Sequence, residues 1–208
     1  MTVEFALFLS PEGIALAQRQ QAGHWALVAE ARPEGDDLGP AMAELRSVAE
    51  ARGGSDAQVL LVLPDDQILY TSFMAPAHDT EMVATRITEG LDGLTPYAVE
   101  DLVHDWCAVE EDRVKVAVVA RETLDEARDF ALSHGFKSAG FAAMPPAERF
   151  PAMPVFGEDA AALGLDRGGM SFGSDDWTPP EPEVWPEADA RPEASDDAEA
   201  EADAAPGA

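Results

Sequence analysis

Along the first 150 residues, apolar positions come in short runs separated by turn residues, and the period of the runs changes as the chain proceeds. Phe5 to Leu9 is one such run, and Ser10-Pro11-Glu12-Gly13 supplies a turn after it. Ile14 to Ala17, continued by the polar Gln18-Arg19-Gln20-Gln21, predicts a second strand, and Ala22-Gly23 turns the chain into a third at His24 to Ala29. Three strands so close together read as an antiparallel meander. Leu38, Met42, Leu45 and Ala49 then follow a helical period, with Val48 beside them, and Gly53-Gly54 ends that helix.

Val59-Leu60-Leu61-Val62-Leu63 is apolar without interruption, the pattern of a strand buried on both faces. Pro64-Asp65-Asp66 turns the chain, and Ile68 to Met74 predicts a partner strand. Asp79 or Thr80 can cap a second helix whose stripe is Val83, Ile87 and Leu91. Gly93 to Pro96 breaks it, and Tyr97 to Asp101 reads as one extra turn. Val103 to Val109 and Val114 to Ala120 predict two strands around the acidic turn Glu110-Glu111-Asp112. Thr123 with Glu126 suggests a capping box for a third helix that ends at Gly135, and Phe136 to Met144 is the last strand before Pro145-Pro146. The order βββ-α-ββ-α-ββ-α-β is that of an α/β module with a mixed sheet.

Charge divides the chain. Its 208 residues hold 13 Lys+Arg against 41 Asp+Glu, a net charge of −28. From Ser174 to Ala208 there are 12 acids, one arginine and six prolines, and no large apolar residue beyond Trp185. Such a segment cannot bury enough surface to offset the entropy of ordering, so it reads as a disordered acidic tail. Residues 151 to 173 have the composition of a linker, which makes 1 to 150 the folded module. The acidity excludes direct binding to phosphate backbones and to anionic membrane surfaces. No stretch reaches the roughly 18 apolar residues of a membrane span, and the single Cys107 allows no intrachain disulfide, so the reading is cytoplasmic.

Catalytic patterns are sparse. Gly169-Met170-Ser171-Phe172-Gly173 matches the nucleophile elbow G-x-S-x-G, but that motif needs a strand before the serine and a helix after it, and the flanks here have loop composition. His24, His78, His104 and His134 stand on four separate elements without metal-ligand spacing. On a strand, His104 points away from the face shared by Asp105 and Cys107, so a thiol-base pair is not expected and Cys107 reads as a small core residue. Asp65-Asp66 reads as turn chemistry and Asp101 as the end of a helical turn. Neither a P-loop nor a G-x-G-x-x-G fingerprint is present, so no catalytic residue, cofactor or metal ligand is assigned.

Three stretches carry a family resemblance: Leu63-Pro64-Asp65-Asp66-Gln67-Ile68-Leu69, Thr95-Pro96-Tyr97 through Asp105, and Val114 through Leu124 with its Val116-Ala117-Val118-Val119-Ala120-Arg121-Glu122 core. In their succession and spacing, residues 3 to 150 resemble the cytoplasmic actin-like domain of the type II secretion L protein (GspL) and the type IV pilus M protein (PilM). The resemblance implies an actin-like or RNase H-like half-module, with residues around 65 to 110 as an inserted small subdomain. It departs from nucleotide-binding relatives in having no aspartate within the first strand, Phe5 to Leu9, and no second α/β half after Phe150. A nucleotide-free, non-enzymatic adaptor for a protein partner is therefore the expected function. The alternative places binding in the tail, where Phe172, Trp177 and Trp185 are the candidate partner-contacting residues, and those tryptophans have folding back onto the module as their other use. A tether to a longer protein is a third use of the tail, and a hydrolase built on Ser171 comes last.

Overall fold

The computed structural model describes residues 2–20, 24–32, 38–157 and 160–172. Strands β1 (Phe5–Ser10), β2 (Gly13–Arg19) and β3 (Trp25–Ala31) form the expected meander, with a bulge between Leu16 and Ala17. Helix α1 (Gly39–Gly53) carries the chain to β4 (Gln58–Leu63), which lies parallel to β1. After a single 3-10 turn at Asp65–Gln67 come β5 (Leu69–Met74), helix α2 (Thr80–Leu91), a second such turn at Val99–Asp101, and strands β6 (Leu102–Glu110) and β7 (Arg113–Ala120). Helix α3 (Arg121–Ser133) leads to β8 (Lys137–Ala143), parallel to β4, and a two-residue strand β9 (Val155–Phe156) pairs antiparallel with β8. The large sheet thus has the order β3-β2-β1-β4-β8-β9, and an antiparallel small sheet has the order β5-β7-β6.

Strand alternation sends neighbouring residues to two separate cores. Phe5, Leu7, Leu16, Val59, Leu61 and Phe141 face α1 and α3, joined by Met42 and Leu45 from one helix and Leu124 and Ala131 from the other. Ala6, Phe8, Ala15, Ala17, Leu60, Val62 and Ala142 face the opposite side. Because β4 is central and covered on both faces, Val59 to Leu63 are all buried, as their unbroken apolar run predicts. The small sheet adds a third cluster in which Val114, Val116 and Val118 meet Val83, Ile87 and Leu91 of α2. Asp79 caps α2 by accepting a hydrogen bond from the Met82 amide at 3.0 Å.

Two expectations need correction. Helix α3 starts at Arg121 directly from β7, with Ala120 at the N-cap position and no side-chain cap, so Thr123 and Glu126 lie inside the helix and form no capping box there. Within the stretch expected as a linker, residues 151–157 and 160–172 form a strap laid across the second face of the large sheet. Its Met153, Val155, Ala160, Leu163 and Met170 are buried against Phe8, Leu60 and Val62. Backbone bonds from Val3 to Leu163 (3.0 Å) and from Trp25 to Ser171 (2.8 Å), with Arg19 donating to the Gly164 carbonyl (2.7 Å), fasten it down. The packing therefore does not stop at residue 150, because a sheet with a second apolar face must cover it.

Candidate protein-binding site

Two carboxylates hold the junction between the sheets. Asp65, at the corner after β4, accepts from the Tyr70 hydroxyl at 2.6 Å and from Arg149 at 2.6 Å. The Arg149 guanidinium lies 5.7 Å from the centre of the Tyr70 ring, and Phe150 stacks at a tilt 6.1 Å away. Burial, then the bond to Asp65, pushes the Tyr70 hydroxyl well above the usual tyrosine range, so it remains a donor. The acid read as turn chemistry is thus also the anchor that fixes the start of the small sheet.

Asp105, on β6, accepts from the Val155 amide at 3.0 Å and from Arg167 at 2.7 Å. Arg167 also donates to the Trp106 carbonyl at 3.1 Å. One carboxylate therefore holds both β9 and the outer turn of the strap to the small sheet. Cys107 shares that face, as its spacing from Asp105 implies, and burial pushes its thiol above the usual cysteine range. The half-buried thiol packs against the first core.

Beside this clamp, α3, β8, β9 and Val103 enclose a cleft of about 280 Å³. Arg121, Asp125 and Arg128 line one wall, and Phe141, Phe156 and Gly157 line another. Arg128 is paired with Asp125 and its guanidinium stands 5.1 Å from the centre of the Phe141 ring. Arg121 reaches the Glu100 carbonyl at 3.4 Å, a long contact that leaves most of its donors turned outward. The cleft offers cationic donors in a chain that is otherwise strongly acidic, and the Phe141 and Phe156 rings beneath it are buried in the first core.

The residues singled out from sequence fall differently. Phe172 packs 6.0 Å from Phe8 and bridges to Trp25 at the β3 edge, so its ring serves this chain's own second core. Trp177 and Trp185, and the acidic tail with them, lie outside the described residues. The Ser171 hydroxyl meets His24 Nδ1 at 2.8 Å, a contact that sequence separation concealed. Both residues are exposed, the backbone before Ser171 is a turn without strand pairing, and among the described residues no carboxylate bonds the His24 ring. The pair fastens the end of the strap beside β3. His134 stacks edge-on with Phe130 at 4.8 Å, and among the described residues no group of three metal-capable side chains comes together. The residues that sequence reasoning missed are Arg121, Arg128 and Arg167, since isolated arginines on different elements leave no motif.

No protein-family model matches the chain, and no curated protein matches it. Among solved structures, the cytoplasmic domain of EpsL, an inner-membrane component of the type II secretion system of Vibrio cholerae, aligns at a TM-score of 0.49. That alignment has 18% identity over 66% of this chain and 55% of that one. A PilM–PilN type IV pilus biogenesis complex aligns at a TM-score of 0.50 and 18% identity, over 66% of this chain and 46% of that chain. This chain therefore spans about half the length of the solved chains it matches. With β3-β2-β1-β4-β8 as its spine and β5, α2, β6 and β7 inserted before α3, the chain has an α/β fold similar to the actin-like module of PilM.

Proposed function

We propose that this chain is a non-enzymatic, cytoplasmic adaptor for an assembly machine of the secretion or pilus kind, holding an extended segment of a protein partner in the cleft beside Phe156. The observation that carries the reading is the pair of guanidinium groups, Arg121 and Arg128, at a cleft also lined by the small residues Ser138, Ala139, Gly140 and Gly157 above the buried Phe141 and Phe156. A carboxylate-bearing side chain of an extended segment can enter a space of this size and meet the guanidinium groups. The PilM relative was solved with PilN, which makes a protein the natural class of partner. Strand β1 has no acid in Phe5–Ser10 to serve a metal or a nucleotide, which supports the non-enzymatic part of the reading.

Photo-cross-linking in cells from a benzoyl-phenylalanine at Val103 tests this, with the same group at Leu132, which is 62% exposed on α3, as the control. The expected result is one dominant adduct with an envelope-assembly protein from position 103, lost on Arg121→Glu with Arg128→Glu. Adducts that form equally from both positions, or calorimetric binding of ATP with turnover, overturn it. A binding site in the tail is the competing reading, and cross-links from Trp177 and Trp185 in place of position 103 would select it.

A further inference from the structure

Most sheet edges in this molecule are short, charged or covered. Strand β9 has only two residues, and β3 carries Glu30 and meets Phe172 through the bridge at Trp25. Strand β6 carries His104, Asp105 and Glu110, has a bulge between Ala108 and Glu110, and is clamped to β9 and Arg167. Strand β5 differs from all of these. Its six residues, Leu69-Tyr70-Thr71-Ser72-Phe73-Met74, contain no charge, proline or glycine and pair with β7 in unbroken register. Among the described residues, its outer side makes no backbone hydrogen bond. Leu69 and Met74 at its ends are 37% and 64% exposed. Soluble proteins blunt a regular apolar edge because its unpaired amides and carbonyls template further pairing. Leaving one neutral in a chain with 26% charged residues marks it for use.

We propose that β5 is where two copies of this chain join, antiparallel, to make one continuous six-stranded sheet from two small sheets. A two-fold axis perpendicular to the sheet keeps both faces aligned, so residues of equal parity stand opposite each other. With Thr71 on the axis, Leu69 faces Phe73 and Tyr70 faces Ser72, so no like charges meet in the ladder. A foreign basic strand would find no carboxylate on β5 to pair with, whereas a second copy supplies a neutral strand of the same pattern. The opposing effect is long-range, since each copy carries −28. That repulsion is screened beyond about 8 Å at physiological ionic strength, so association strengthens with salt.

Sedimentation equilibrium of the full chain, from micromolar to sub-millimolar concentration and at low and high salt, tests the joint. The expected result is a dimer favoured by salt and weakened at least about tenfold by Thr71→Lys, which places two ammonium groups beside the axis. Because that variant can also disturb packing, Thr71→Cys in a Cys107→Ala background provides the second readout. A short bismaleimide should link it as a dimer while leaving Leu132→Cys in the same background unlinked. A monomer under every condition overturns the proposal and leaves the edge to a foreign strand. A dimer indifferent to Thr71→Lys, or linked equally from residue 132, overturns it as well.

Discussion

Asp105 illustrates how much one side chain decides here. Its carboxylate satisfies the Val155 amide and the Arg167 guanidinium together, so Asp105→Ala leaves a part-buried amide and a cation without their acceptor. Such a loss costs about 1–3 kcal/mol. Chemical denaturation should show a decrease of that size, and hydrogen exchange should accelerate first in the strap, at Met153 to Arg167. A strap that keeps its protection in the variant would place its stability in the apolar contacts alone. Cys107 supplies a pH signature. Burial raises its thiol in the folded state, so between the ordinary cysteine value and the folded one the native chain binds more protons than the unfolded chain. Its stabilising share is full below the ordinary value near about 8.5 and is lost as pH rises through the folded value. At pH 8 the native thiol should react with iodoacetamide more slowly than the urea-unfolded thiol. Equal rates would show that it is not desolvated.

At the scale of elements, the packing of α2 on the small sheet depends on absent atoms. A Cβ built on Gly90 would stand 2.3 Å from the Phe73 ring, so the helix lies closer than any side chain there allows. Alanine in place of glycine gains about 1 kcal/mol of helix propensity, yet overpacking of this kind costs about 1–3 kcal/mol. Gly90→Ala should therefore destabilise the fold, and Phe73→Leu should recover part of the loss in a double-mutant cycle. A stabilised Gly90→Ala protein would mean that the helix shifts freely. Much of this level was legible in sequence. The stripe Val83, Ile87 and Leu91 and the Asp79 cap are local signals, and both appear in α2. The start of α3 was not legible, because Thr123 and Glu126 satisfy a capping pattern that a strand running straight into Arg121 makes unnecessary.

For the whole molecule, the strap sets the boundary of the folded unit. Ending the chain at residue 150 would expose Phe8, Leu60, Val62 and the alanines around them, a contiguous apolar face. That shortened chain should bind a hydrophobic dye and aggregate into species larger than a dimer, whereas the full chain should do neither. A dye-silent product that does not aggregate would show that the second face needs no cover. The candidate site belongs to this scale too. Val103, Arg121, Arg128, Phe141 and Phe156 come from β6, α3, β8 and β9, and only the path of the strap beside β8 brings Phe156 to the others.

Local periodicity in the sequence determined the order of strands and helices and the double burial of β4, while composition set apart an acidic C-terminal stretch as an expectation. It also determined the lack of a carboxylate in β1, since composition needs no folding to be read. The tertiary structure alone decided that residues 151–157 and 160–172 cover a sheet face, because Met153, Val155, Ala160, Leu163 and Met170 follow neither a strand nor a helix period. It also decided which acid meets which arginine across long separations, and that β5 keeps an open edge. Those outcomes depend on where the chain returns in space, and residue spacing carries no record of that return.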